Sequence, residues 1–208
     1  MIREIVLELI AMHIPRYCIV LPIAALAVFL SGCATYSVHP FYKPDENTLE
    51  PGLVGLWTVE DTKITIQANK GGTYEAVFAN SSSHGDCPYE VRLIRVGKNL
   101  FADAIFDDES PKGKDTDLPY GAAALHFLYK VSLNGDTLWL SLLSHDWLVK
   151  QFEAKKISVA HEYMDDNADP RDATVLLTAS SADLQKFMQQ IGDVPDAFEE
   201  PVIMQRQK

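Results

Sequence analysis

From residue 54 to residue 143, apolar and polar positions alternate along short runs, and a period of two marks a strand with one buried face. Runs at 54–60, 63–68 and 73–78 are broken by Asp61 and by Gly71-Gly72. Ile64 and Ile66 alternate with Lys63, Thr65 and Gln67, which predicts one dry and one wet face. Runs at 89–96 and 100–106 flank Gly97-Lys98-Asn99, and runs at 124–133 and 137–143 flank Asn134-Gly135-Asp136. The second of these is the stronger hairpin signal, since Asn-Gly tolerates the positive φ of a tight turn. Phe127, Tyr129, Val131 and Leu133 share one face of the first strand of that pair, and Leu138, Leu140 and Leu142 share one face of the second.

The period then lengthens. Ser144 is placed to cap a helix, with Asp146 in its first turn and Trp147, Leu148 and Phe152 facing inward. Strand patterns return at 157–163 and 174–178. Ser180 and Asp183 form a capping-box pattern. Leu184, Phe187, Met188 and Ile191 follow at i, i+3, i+4 and i+7, and Gly192 ends the turn. This apolar stripe is expected to close one opening of the sheet or barrel. Residues 201–206 supply a last strand, and no internal repeat is visible. The pattern predicts a mainly β (α+β) fold, an antiparallel sheet or small barrel with two packed helices.

The chain before residue 34 has a different texture. Residues 17–30 are uncharged, follow Arg16 and run into Leu30-Ser31-Gly32-Cys33. The run is short for a mature membrane span. Pro22 lies inside it, where a helix interior loses about 3 kcal/mol. An uncleaved anchor helix and a buried core helix are the alternatives. Leu-Ser-Gly-Cys resembles the bacterial lipobox. That resemblance implies cleavage between Gly32 and Cys33, a lipid on the Cys33 thiol, and membrane attachment through it. Ala34, where Asp would signal inner-membrane retention, implies delivery to the outer membrane of a diderm cell, facing the periplasm. The organisation expected is a signal peptide at 1–32, a lipidated tether at 33–52 and one β-rich domain at 53–208. Glu4 and Glu8 are unusual in a signal peptide, so translation is expected to begin at Met12.

Charge narrows the partners. The chain carries a net charge of −11, and its signal region is formally neutral, so the body keeps all of it. An acidic body without a Lys/Arg cluster does not hold nucleic acid or an anionic membrane by its own field. Three cysteines are present. Cys18 leaves with the signal peptide and Cys33 is consumed by lipid, so Cys87 has no intramolecular partner. It reads as a half-buried strand residue, with a reactive thiol as the sharper alternative. Residues 34–52 hold Pro40, Pro44 and Pro51, which suits a tether spanning roughly 25 Å. Tyr36, His39, Phe41 and Tyr42 are aromatic enough that part of it is expected on the body.

Gly55-Leu56-Trp57 opens the first strand after a short turn near 49–53. It resembles the Gly-x-Trp motif of lipocalins, in which the Trp closes the floor of a barrel beneath an apolar cavity. That resemblance implies a small lipocalin-like barrel, with Arg206 as the candidate for the family's final-strand Arg. The alternative is that Trp57 is ordinary core in an unrelated sheet. A wider pattern, from the lipobox through Val38-His39-Pro40-Phe41-Tyr42 to Asp196-Ala197-Phe198, is similar to bacterial lipoproteins of unassigned function.

Candidate chemistry is sparse. His161-Glu162-Tyr163-Met164-Asp165 looks like a zincin motif with Asp for the second His, but it lies on an expected strand. Asp165, Asn167 and Asp169 have the first spacings of a calcium loop, yet Pro170 stands where Gly is needed and Leu176 where Glu is. Ser144-His145-Asp146 is a trio in sequence that adjacent residues cannot turn into a catalytic relay. The charged stretch from Asp107-Asp108-Glu109 to Tyr120-Gly121 reads as a solvated loop, with a lid or partner surface as the alternative. No catalytic residue, metal site or cofactor is expected, and no ligand-binding residue is assigned. The expected function is a non-catalytic envelope interaction or assembly module. The alternative is a carrier of an apolar small molecule, and a hydrolase comes third.

Overall fold

The computed structural model describes residues 35–43, 46, 48–60, 62–79, 87–107, 125–164, 169–171 and 173–208. Eight antiparallel strands close into a barrel. Seven run as a meander: β2 (Gly55–Val59), β3 (Thr62–Ala68), β4 (Tyr74–Ala79), β5 (Cys87–Val96), β6 (Asn99–Phe106), β7 (Phe127–Asn134) and β8 (Thr137–Leu142). The C-terminal strand, β11 (Val202–Arg206), pairs with both β8 and β2 and seals the gap. Closure removes the exposed edges that an open sheet would present.

The hairpin turns follow from glycine. Gly97 and Gly135 each take a φ of 59° at the first of two loop residues, where two-residue hairpins of the II′ kind place Gly. The second turn is therefore centred on Gly135-Asp136, with Asn134 the last paired residue of β7.

A second layer covers the outside of the barrel wall. It holds β1 (Thr35–Ser37), α1 (His145–Glu153), β9 (His161–Tyr163), β10 (Val175–Leu177) and α2 (Ser181–Ile191). β10 pairs in parallel with β1 and antiparallel with β9. The residues read as tether thus join the fold from Thr35 onward, and Phe41 is 1% exposed. Burying its aromatic ring outweighs the freedom a linker would keep. The 157–163 run is strand only from His161, and residues 156–160 belong to no strand.

Both helices start at the expected caps. The Ser144 hydroxyl accepts the Trp147 N–H, and the Ser180 hydroxyl accepts the Asp183 N–H while donating to the Asp183 carboxylate at 2.8 Å. Lys186 bonds the same carboxylate at 2.8 Å and, with Ser180, holds it below the usual carboxylate range. In α1 the buried face is carried by His145, Leu148 and Val149, with Trp147 and Phe152 packed at its margin.

Two apolar cores result. The barrel interior packs Trp57, Ile64, Tyr74, Leu93, Leu138 and Met204 among others. The outer core packs the helices and small sheet onto the outward side chains Ile94, Phe101 and Leu128. Leu184, Phe187, Met188 and Ile191 belong to this outer core. The α2 stripe therefore covers the barrel wall and not an opening, because β5 and β6 carry apolar residues on both faces.

Candidate functional site

The two ends of the barrel differ in chemistry. One end, the floor, is built around Trp57, which is fully buried. A 3-10 turn at Pro51–Leu53 crosses beneath it, and the Trp57 indole N–H donates to the Leu53 carbonyl at 2.8 Å. The Tyr74 hydroxyl accepts the Glu50 N–H at 2.7 Å. Arg206 comes from the last strand and lays its guanidinium over the Trp57 ring, 4.2 Å from the centroid. It donates to the Val54 carbonyl at 2.6 Å and to the Gly52 carbonyl, and faces Asp136 at 3.3 Å. Gly55 takes a φ of 151°, which other residues rarely adopt, and a Cβ there would also meet that guanidinium. Planar stacking plus forked donation is what guanidinium does and ammonium cannot.

The other end, the mouth, is where β2, β4, β6 and β8 finish and β3, β5 and β7 begin. Inward positions here are aromatic. Tyr89 meets Phe78, Phe106 and Phe127 edge-on, with centroids 5.5, 5.8 and 6.5 Å apart. Tyr36, from β1, reaches over the rim to meet Phe127 at 4.9 Å. Deeper in, Tyr129 pairs across the ladder with Leu142 and Ala102. Val59, Phe78, Val91, Tyr129 and Leu140 all pack toward the interior core yet are only half-buried. Inward side chains of a closed barrel expose surface to space inside it or at its end.

The three phenols lie close enough to feel one another's charge. Burial pushes the Tyr36 hydroxyl above the usual phenol range. Tyr89 is pushed up to about 12, first by burial and then by repulsion from Tyr36. Tyr129 is raised further, by burial and then by Tyr89 and Tyr36. At neutral pH all three are therefore uncharged donors. Among the described residues, none of the three hydroxyls makes a hydrogen bond. An apolar chamber with a few unpaired polar groups is the usual form of a small-molecule site. Sequence reasoning assigned no residue to it. The signal was present in the aromatic strand ends Phe78, Tyr89, Phe106 and Phe127, but nothing local says that they converge.

A buried polar pair sits on the outer wall. Asp103 is 2% exposed; its Oδ1 lies 2.6 Å from His126 Nδ1, and its Oδ2 accepts the Phe41 N–H at 2.7 Å. The neighbouring Arg92 guanidinium lies 4.3 Å from the Tyr42 ring centroid. This cluster pins Phe41 to β6 and Tyr42 to β5, and gives the carboxyl of Asp103 partners inside an apolar strand.

The sequence candidates are placed apart. Cys33, Gly32 and Met12 lie outside the described residues, as do Asp165, Asn167 and most of the 107–120 loop. Cys87 opens β5. His161 is on a strand, stacked on Phe152 at 3.6 Å with Nδ1 near the Val159 carbonyl. Asp169 accepts the Arg171 N–H in a turn. Ser144 caps α1, and its neighbour His145 is buried beside the Pro170–Arg171 backbone with no hydrogen bond closed by either ring nitrogen. Burial lowers its pKa, so it is packed as a neutral ring. Among the described residues, no three His, Cys, Asp or Glu converge as a metal site.

Two surface grooves lie outside the barrel. One, of about 340 Å³, runs along Ser180, Asp183 and Lys186, whose polar groups are already committed to the helix cap. The other, of about 330 Å³, is lined by Trp139, Val194 and Phe198 beside Lys130, whose ammonium donates to the Gly192 carbonyl at 2.6 Å. No protein-family model, curated protein or solved structure matches this chain.

Proposed function

We propose that the chain is a lipid-anchored envelope protein whose barrel binds a small, mostly apolar ligand at the aromatic mouth. The carrying observation is the set of inward side chains, Tyr89 and Tyr129 among them, that remain half-exposed inside a closed barrel, with Tyr36 buried at its rim and no hydrogen bond to the three hydroxyls among the described residues. Apolar walls supply affinity, at about 25 cal/mol for each Å² removed from water. The phenols orient whatever polar group the ligand carries. Anchoring rests on the lipobox-like Leu30-Ser31-Gly32-Cys33, and outer-membrane delivery on Ala34.

The test is titration with an uncharged naphthylamine dye that brightens in apolar surroundings. Wild type should bind it saturably. Tyr129→Trp, which fills the chamber, should lose binding while keeping its unfolding midpoint. Equal binding by both proteins would defeat the reading. Processing is tested separately: Cys33→Ala should accumulate precursor and take up no radioactive palmitate.

The interaction-module reading draws on a different observation. Ile203 is 51% exposed and pairs with Trp139 beside the groove that Val194 and Phe198 line. A photo-crosslinker at Ile203 in intact cells gives one defined heavier band under that reading and unreacted protein under the carrier reading.

A further inference from the structure

We infer that the anchor holds the barrel mouth against the membrane, so that the chamber fills from the bilayer with a single-chain amphiphile. The inference rests on the reading of Cys33 as lipidated and of the mouth as a binding chamber. Its basis is the short distance along the chain between the two. Thr35 is buried and paired with Val175, so it is fixed to the body. Tyr36 forms the rim of the mouth against Phe127. An extended chain gains at most about 3.6 Å per residue, so Cys33 lies within roughly 11 Å of Tyr36. That is well short of the bilayer's own thickness of roughly 40 Å. A body with a net charge of −11 gains nothing by laying another face on anionic lipid, so the short link decides the orientation.

The chemistry of the chamber selects the occupant. Its walls at Val59, Val91 and Leu140 are aliphatic and suit one hydrocarbon chain. The phenol donors at Tyr36, Tyr89 and Tyr129 suit the oxygen-rich head that follows it. A lipid with one chain also leaves a bilayer far more readily than one with two, because each buried CH₂ is worth about 0.8 kcal/mol.

The test uses full-length lipidated protein in vesicles of phosphatidylethanolamine and phosphatidylglycerol carrying nitroxide-labelled lipid. In a Cys87→Ser background, a fluorophore is placed at Ala79→Cys, on the mouth end of β4, or at Lys70→Cys, on the floor turn before it. Quenching is expected at Ala79 and not at Lys70. Equal quenching at both, or stronger quenching at Lys70, overturns the orientation. The second measurement follows withdrawal of a fluorescent lysophospholipid from the same vesicles. A long Gly-Ser spacer inserted between Ala34 and Thr35 should slow withdrawal about tenfold, by diluting the mouth near the surface. Binding of the same probe in detergent micelles should be unchanged. Withdrawal that ignores the spacer overturns entry from the bilayer. Absence of binding in micelles overturns the binding chamber itself, and the quenching pattern still decides the orientation.

Discussion

The floor and the mouth of this barrel are built from the same strands, at opposite ends of runs five to ten residues long, yet they solve opposite problems. At the floor, the polar atoms of Arg206, Trp57 and Tyr74 meet backbone partners, and the connections are tight turns at Gly71-Gly72, Gly97-Lys98 and Gly135-Asp136. At the mouth, the β4–β5 and β6–β7 connections are long, the inward rings of Phe78, Tyr89, Phe106, Phe127 and Tyr129 are half-buried, and the hydroxyls of Tyr36, Tyr89 and Tyr129 make no hydrogen bond among the described residues. A satisfied, close-packed end contributes stability. An end with unfilled space and unpaired donors sacrifices some of that stability and can gain it back from a ligand. On the proposed reading, structure falls to one end and binding to the other.

Four experiments break or sharpen this division. The largest effect is expected for Trp57→Ala, which opens the floor and should cost about 3–5 kcal/mol in denaturant unfolding. A loss below about 1 kcal/mol, typical of a surface change, would mean that the floor is not the keystone of the interior. Arg206→Ala comes next. It removes a stacked cation and two charge-assisted hydrogen bonds, for an expected loss of about 2–4 kcal/mol. Arg206→Lys should recover little, since an ammonium cannot stack and fork at once.

The third experiment reads the mouth by pH. The Tyr89 pKa rises from 10.0 to about 12 on folding, so the folded state holds the phenol proton more tightly than the unfolded one. The contribution is complete below pH 10 and is lost as pH climbs toward 12. Near-ultraviolet absorbance should therefore show a late tyrosine class that ionises together with alkaline unfolding, and Tyr89→Phe should remove one member of it. A single titration at the ordinary phenol value would contradict the buried cluster. The smallest stability effect is expected for Tyr129→Phe. Removing an unpaired hydroxyl from an apolar chamber should change stability by less than about 0.5 kcal/mol, or raise it slightly. Ligand affinity should nonetheless fall about fivefold to tenfold, the worth of one hydrogen bond. A large destabilisation would place that hydroxyl in the structural end instead.

Much of the fold is legible along the chain because its determinants are local. Alternation at Ile64 and Ile66 marks a strand, Ser144 and Ser180 cap helices, and Gly97 and Gly135 permit two-residue turns whatever surrounds them. Leu100-Phe101-Ala102-Asp103-Ala104 is apolar on both faces apart from Asp103, and the structure packs one face into the barrel and the other under the outer layer. The identity of the layer was not legible. The α2 stripe specifies that Leu184 and Ile191 are buried, but a stripe does not name what it packs against, and only the tertiary structure sets it on the wall and not over an opening. The same holds for β1, where the three residues Thr35–Ser37 acquire strand character from β10.

The site divides in the same way. Gly55-x-Trp57 is visible in sequence, whereas its meaning depends on Arg206, which arrives only when β11 closes the barrel. Asp103 and His126, and likewise Tyr36, Tyr89 and Tyr129, are too far apart in the chain for any spacing rule to join them. By itself the sequence determined which residues are dry, where helices begin and where the chain turns, because backbone sterics and periodicity act within a few residues. Barrel closure, the stacked floor and the convergence of the phenols were decided by the tertiary structure, because they depend on register and shear accumulated over eight strands.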